Sequence, residues 1–372
     1  MKLGIKEKYN VNAIACAILA AALYGISSPF SKLLLKEVPP TLMAALLYLG
    51  AGIGMLLVNM IQRILQKQQQ EAKMTIKEIP YIFGMIALDI AAPVLLMFGL
   101  SLTTAANASL LNNFEIVTTS LIALLIFKEA VGKRMWVAIL LITASSFVLS
   151  VNNASSFHFS VGSVFVLMAC VCWGFENNCT RMLSMKDPRQ IVVYKGLGSG
   201  AGALVVSIIM KQVSYNVTYI LITLVLGFVA YGLSIYFYLL AQRQLGAART
   251  SSYYAAAPFI GVFISWLLFR EQITINFIIA LGIMLLGTYF AVTELHRHLH
   301  IHEPMTHEHK HNHGDGHHSH QHENEFLGEH SHMHNHAMLE HIHSHTPDVH
   351  HQHTHMKKSI KLRRPMRQAI GK

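Results

Sequence analysis

The sequence predicts an all-α integral membrane protein: ten transmembrane helices arranged as two inverted five-helix repeats, followed by a disordered His-rich C-terminal tail. Three observations carry this. Apolar windows of about 20 residues, long enough to cross a bilayer, recur with short polar breaks. The two halves of the apolar region match each other in order. After Glu294 the composition changes completely. Of 372 residues 53% are hydrophobic and 13% charged; because that average includes the polar tail, what remains is too apolar for a soluble domain.

The spans are predicted at 11 to 34, 41 to 62, 79 to 101, 106 to 127, 135 to 152, 161 to 183, 189 to 211, 218 to 241, 247 to 268 and 274 to 293. The first is read as a span and not as a signal peptide, because more spans follow it where a secreted domain would stand. Cys16, Cys170, Cys172 and Cys179 all fall inside spans, which offers no extracellular disulfide framework. Lys and Arg set the orientation. With the N-terminus inside, the inner loops collect a large excess, among them Lys6, Lys8, Arg63, Lys133, Arg134, Lys186, Arg189 and Arg243, whereas the outer side has Lys32, Lys36, Lys211 and Arg270. Both termini are therefore expected in the cytoplasm.

The repeat is legible in three places. TAANASLLNNFEIVTTSLIALLIFKE, from Thr104 to Glu129, matches GAARTSSYYAAAPFIGVFISWLLFRE, from Gly246 to Glu271; LYGISSPFSKLLL, from Leu23, matches CWGFENNCTRMLS, from Cys172; and GAGIG at Gly50 answers GSGAG at Gly198. The expected units are residues 1–152 and 153–294, with 295–372 as a His-rich and basic tail. Five spans per unit is an odd number, so the second unit enters the membrane from the opposite side. Inverted repeats supply two nearly equivalent conformations, one open to each side, which argues for a carrier over a receptor or a structural membrane protein.

The paired ends IALLIFKE and ISWLLFRE, the aromatic-Gly heads of spans one and six and Pro258 in AAAPFIGVF resemble the drug/metabolite transporter superfamily, specifically its EamA-type members. The resemblance covers about residues 10 to 293. It implies a carrier of the bacterial inner membrane that exports amino acids, metabolites, nucleotide-related compounds or drugs, often driven by a proton or exchange gradient. One departure stands out: span four has Ile116 where span nine has Pro258, with Glu115 beside it.

Ionisable residues within spans are costly and mark function. Asp89 lies midway along span three, Glu115 near the middle of span four, Glu176 in span six and Lys195 in span seven. Three acids face one base. A carboxylate in a partly dry cavity beside another can take up and release a proton at physiological pH. Asp89 and Glu115 are expected to bind a proton or a cationic group of the substrate, and Lys195 to serve as counter-charge or carboxylate anchor; a permanent salt bridge of Lys195 with one carboxylate is the alternative. Asn112, three residues before Glu115, would present an amide to the same cavity or act as interhelical glue. Asn177 follows Glu176, and Tyr254 stands opposite the Asn112–Glu115 pair in the repeat. Trp173 is read as a packing residue. The glycine patches YLGAGIGM in span two and YKGLGSGAGAL in span seven give faces without side chains, where helices approach closely.

All but one of the 24 histidines lie between His296 and His355. Neutral imidazole suits Zn, Ni, Co and Cu, so His309, His311, His313, His317, His318, His320, His332, His334, His336, His343 and His345 are expected metal ligands. The readings left open are a cytoplasmic metal buffer or sensor, a feed of metal to an exported cargo, and a metal-binding tract without a transport role. Divalent-metal export is the alternative function. No cofactor is required; the expected partners are a small-molecule substrate, the bilayer and protons, and not nucleic acid. With no phosphate-binding glycine motif, ATPase domain or catalytic triad, transport should be secondary and the protein not an enzyme.

Overall fold

In the computed structural model the described residues are 11–65, 76–126, 131–153, 158–183, 186–293 and, in the tail, 296–302, 305–311, 330–336 and 339–345. Among them are ten helices long and apolar enough to cross a membrane: Val11–Leu34, Pro40–Gln62, Ile79–Leu102, Ala105–Ile126, Lys133–Ser150, Val161–Thr180, Pro188–Ile209, Val217–Gln242, Thr250–Phe269 and Ile275–Val292. These are spans one to ten, each within a few residues of its predicted place.

The spans pair in a pattern that survives exchanging each for the one five places along. Span three packs on span six, and span one on the segment Ser234–Tyr254 that joins spans eight and nine. Span two crosses span seven, and span five runs along span ten. The first part of span eight lies against span two, as span three lies against span seven. At the centre the two glycine patches meet each other. A Cβ added at Gly52 would lie 2.5 Å from the backbone nitrogen of Leu197, and one at Gly196 would run into the backbone of Gly52. The same patches turn their other glycines outward alike, Gly54 against the Phe228 ring and Gly198 against Ile86. Without side chains there, spans two and seven touch backbone to backbone.

The aromatic-Gly heads have the same explanation. A Cβ at Gly25 would lie 2.8 Å from the carbonyl of Ala257, and one at Gly174 would lie 2.6 Å from the Thr118 hydroxyl. Each glycine lets a span of the other half come close, span nine against span one and span four against span six.

Several spans are interrupted. Span four breaks between Leu111 and Phe114, although it lacks the proline that marks its counterpart. Asn113 N and Ile116 N bond three residues back, to Leu110 O and Asn113 O, and the Asn113 side chain also donates to Leu110 O at 3.3 Å. Asparagine competes for helix backbone in this way. Span nine breaks at Ala255 and Ala256, just before Pro258, which has no N–H to give. Helical bonding continues through the junction of spans eight and nine, yet the Ser234 Oγ and the Tyr254 hydroxyl, 20 positions apart, are 3.5 Å from each other. A straight helix would separate them by about 30 Å, so the chain folds back on itself there. That reversal is why so short a break still separates two spans.

At one end of the bundle, Lys32 and Glu271 close both sides of the turn between spans three and four. Lys32 Nζ donates to Leu100 O at 2.6 Å and Thr103 O at 2.7 Å, while the Glu271 carboxylate accepts from Ala105 N at 3.0 Å and Ala106 N at 3.3 Å. A cation on the last carbonyls of one helix and an anion on the first amides of the next both suit the helix dipoles.

Where the sequence predicts disorder, the described parts of the tail are extended. His296–His302 pairs with Leu339–His345 and Met305–His311 with His330–His336, both antiparallel. His-x-His alternation has the two-residue period of a strand.

Candidate functional site

The ionisable residues singled out in the spans converge midway along the bundle. Lys195 Nζ lies 3.1 Å from Asp89 Oδ2 and 2.9 Å from Glu176 Oε1. Lys195 thus bridges two carboxylates, where the sequence suggested a pair with one. Asp89 is 0%, Glu176 1% and Lys195 8% exposed, so the cluster is cut off from solvent. Further bonds come from within the protein: Tyr48 donates to Asp89 Oδ1 at 2.9 Å, the Trp173 indole hydrogen-bonds Tyr48, and Thr180 donates to Glu176. Elements from both halves supply the cluster, with Asp89 and Tyr48 from spans three and two, Glu176 and Lys195 from spans six and seven.

One residue along span six, a second group begins. Asn177 Nδ2 donates to Glu115 Oε1 at 2.6 Å and to Thr119 Oγ1 at 3.2 Å. Unlike the first group, Glu115, Asn177 and Thr119 keep intermediate exposure. Asn112 sits on the break in span four, buried at 7% exposure, and its Oδ1 has no hydrogen-bond partner. An unsatisfied acceptor in such a place costs about 1–3 kcal/mol, which marks the atom as one to be met by something else.

Tyrosines link the ion cluster to the sequence-predicted Tyr254. Ring centroids are separated by 5.3 Å for Tyr48 and Tyr231, 5.8 Å for Tyr231 and Tyr24, 5.7 Å for Tyr24 and Tyr254, and 4.9 Å for Tyr254 and Tyr238. Ser27 donates to the Tyr231 hydroxyl at 3.1 Å. Tyr24 and Trp173, the aromatic heads of spans one and six, both reach this centre.

All seven sequence-predicted residues are therefore accounted for. Asp89, Glu176 and Lys195 form one ion cluster, Glu115 and Asn177 the adjacent pair, and Tyr254 joins through the ring chain; Asn112 stands one helical break away without a described bond to the others. Sequence reasoning passed over Tyr24, Tyr48, Thr119 and Thr180. Tyr24 and Tyr48 had a signal available, since each stands immediately before or within a repeated glycine motif.

The expectation of metal binding is corrected. Among the described residues no group of three or more His, Cys, Asp or Glu could hold a metal ion. Of the histidines named for metal, His309, His311, His332, His334, His336, His343 and His345 are described in backbone only, and His313, His317, His318 and His320 lie outside the described residues. No Zn, Ni, Co or Cu site is therefore assigned.

The EamA-like transporter family matches this sequence twice, at residues 11–151 and 160–293. The chain belongs to that family. EamA-like proteins are membrane transporters and not enzymes. An uncharacterized transporter of Methanothermobacter thermautotrophicus (strain Delta H) is 27% identical over 290 residues, 73% of this EamA-like chain and 83% of its own. One crystal structure superimposes with a TM-score of 0.56 at 17% identity, covering 76% of this chain and 96% of its own; it supports the fold alone. The two matches place the family's unit on each half of the multi-pass membrane protein described above.

Proposed function

We propose that this EamA-like transporter is a secondary carrier that exports a small polar metabolite, amino acid or drug by alternating access, with a proton as coupling ion. The observation that carries the reading is the arrangement of Asp89, Lys195 and Glu176 beside Glu115 and Asn177, contributed by both halves and midway along apolar helices. Such groups are expensive in a membrane unless they bind or move something. We read residues 1–152 and 153–294 as inverted repeats; the exchange symmetry of the packing supports this, because two halves that can swap roles provide an inward- and an outward-open form. The excess of Lys and Arg in alternate loops supports cytoplasmic termini in an energised cell membrane.

In this reading Lys195 holds Asp89 and Glu176 as a preformed ion cluster. Asn177 and Glu176 are neighbours on span six, so protonation or occupation at Glu115 is felt at the cluster through two adjacent residues of one helix. Asn112 offers an amide acceptor, and Tyr254 a hydroxyl and ring, to the solute. The test is flux into proteoliposomes of labelled amino acids, amines and nucleosides under an imposed pH gradient. Saturable flux that accelerates with the gradient is expected. Non-saturable, gradient-independent conductance would instead mark a channel and overturn the carrier reading.

A further inference from the structure

The tail strands carry a regularity that composition alone does not impose. His296–His302 pairs with Leu339–His345 and Met305–His311 with His330–His336, and three positions on each limb separate the pair His302 and Leu339 from the pair Met305 and His336, so both ladders keep one register. That register sets histidine opposite histidine. His296, His298 and His300 stand across from His345, His343 and His341, and His307, His309 and His311 across from His334, His332 and His330. A slip of one residue would place every one of these histidines opposite a residue of another type.

No counter-charge stands in this ladder. Each sheet has two strands, and the charged residues of the described strands, Arg297, Glu308, Lys310 and Glu340, take the alternate positions, across from Ser344, Met333, Ser331 and Ile301. Directly opposite residues of an antiparallel pair lie about 4.5–5.5 Å apart, close enough for like charges to oppose pairing. Imidazole is neutral above about pH 6.5 and cationic below it. Parted limbs bear their protons without that repulsion and bind more of them in acid, so pairing is favoured as pH rises and lost as it falls. A two-stranded ribbon is marginal in water to begin with, which makes a few repelling pairs decisive.

We propose that residues 296–311 and 330–345 form a pH switch, a ribbon that is zipped while its paired histidines are neutral and parts as they gain protons. The switch is rooted on the helix bundle, because the end of span ten just before it is held by Arg134 of span five, donating to Thr293 O at 3.0 Å, and by Ser252 of span nine, donating to Val292 O at 3.5 Å. The inference is independent of the carrier reading and of any cargo.

Hydrogen–deuterium exchange of the full chain in lipid nanodiscs tests this at about pH 7.5 and about pH 5, on either side of the imidazole midpoint. Labelling times are scaled to the intrinsic exchange rates, and EDTA is present so that pairing owes nothing to metal. Amides of 296–311 and 330–345 should be protected about tenfold or more at the higher pH and lose that protection at the lower, while amides of spans two and seven keep theirs. His→Thr at every position of the six pairs keeps strand propensity and removes titration, so protection should then persist in acid. His→Glu at 296, 298, 300, 307, 309 and 311 should reverse the response, because a carboxylate opposite a protonated imidazole attracts it. Equal protection at both pH values, no protection at the higher one, a loss in acid that survives His→Thr, or an unreversed response after His→Glu would each overturn the proposal. The unaltered chain decides on its own, so a variant that fails to fold does not rescue it.

Discussion

At Lys195 a single ammonium group satisfies two carboxylates that are otherwise sealed from water. Removing one partner of a buried ion pair costs about 3–5 kcal/mol, because the survivor stays buried and unpaired. Lys195→Met should therefore lower stability by about that amount in a denaturant or thermal unfolding series in detergent, and adding Glu176→Gln should recover part of it. Glu115 behaves differently, since its described partner is a neutral amide. Glu115→Gln should leave the unfolding midpoint within about 1 kcal/mol of the starting protein, yet flatten the dependence of transport on pH, because a side chain that no longer titrates cannot report the proton. Unchanged pH dependence in that variant would remove Glu115 from coupling. Asp89, Glu115, Glu176 and Lys195 were legible in the sequence because an ionisable group in an apolar helix has few structural excuses. Tyr24 and Tyr48 were marked only by the glycine motifs beside them, because aromatic residues are ordinary in spans and only their neighbours make them part of a site.

At the scale of an element, two features decide how the spans meet. The glycine patches of spans two and seven were recognisable as faces for close approach, but not as partners of each other. Gly52→Leu or Gly196→Leu would push a side chain into the facing backbone, and overpacking of this kind costs about 1–3 kcal/mol or more; loss of a monodisperse peak on gel filtration, or a lowered unfolding midpoint, is the expected readout. The second feature is the turn closed by Lys32 and Glu271. Lys32→Ala uncovers the carbonyls of Leu100 and Thr103, and we expect a loss of about 1–3 kcal/mol together with faster labelling of a cysteine placed at Thr104. Unchanged labelling would show that the turn does not depend on the cap. Span four offers a further lesson. Its missing proline suggested a helix unlike its counterpart, yet Asn112 and Asn113 interrupt it at nearly the same depth, so two unlike sequences reach the same break by different chemistry.

For the whole molecule, ten spans and their two-part order followed from hydropathy and internal matching, since a bilayer of fixed thickness imposes a length and composition on every helix that crosses it. The His-rich tail shows the limit of composition as a guide. Imidazole content proposed a metal site; ligation requires convergence in space, and among the described residues no group of three ligands converges. What the sequence by itself determined was the number of spans, the family and the identity of the costly polar residues, because each of these is a local consequence of placing a side chain in hydrocarbon. What only the tertiary structure decided was partnership: that Lys195 bridges Asp89 and Glu176, that Asn177 faces Glu115, and that five tyrosines from four spans form one chain of rings. Those contacts join residues far apart in sequence through the reversal at spans eight and nine and the crossing of spans two and seven, and no local pattern records which face of a helix will meet which neighbour.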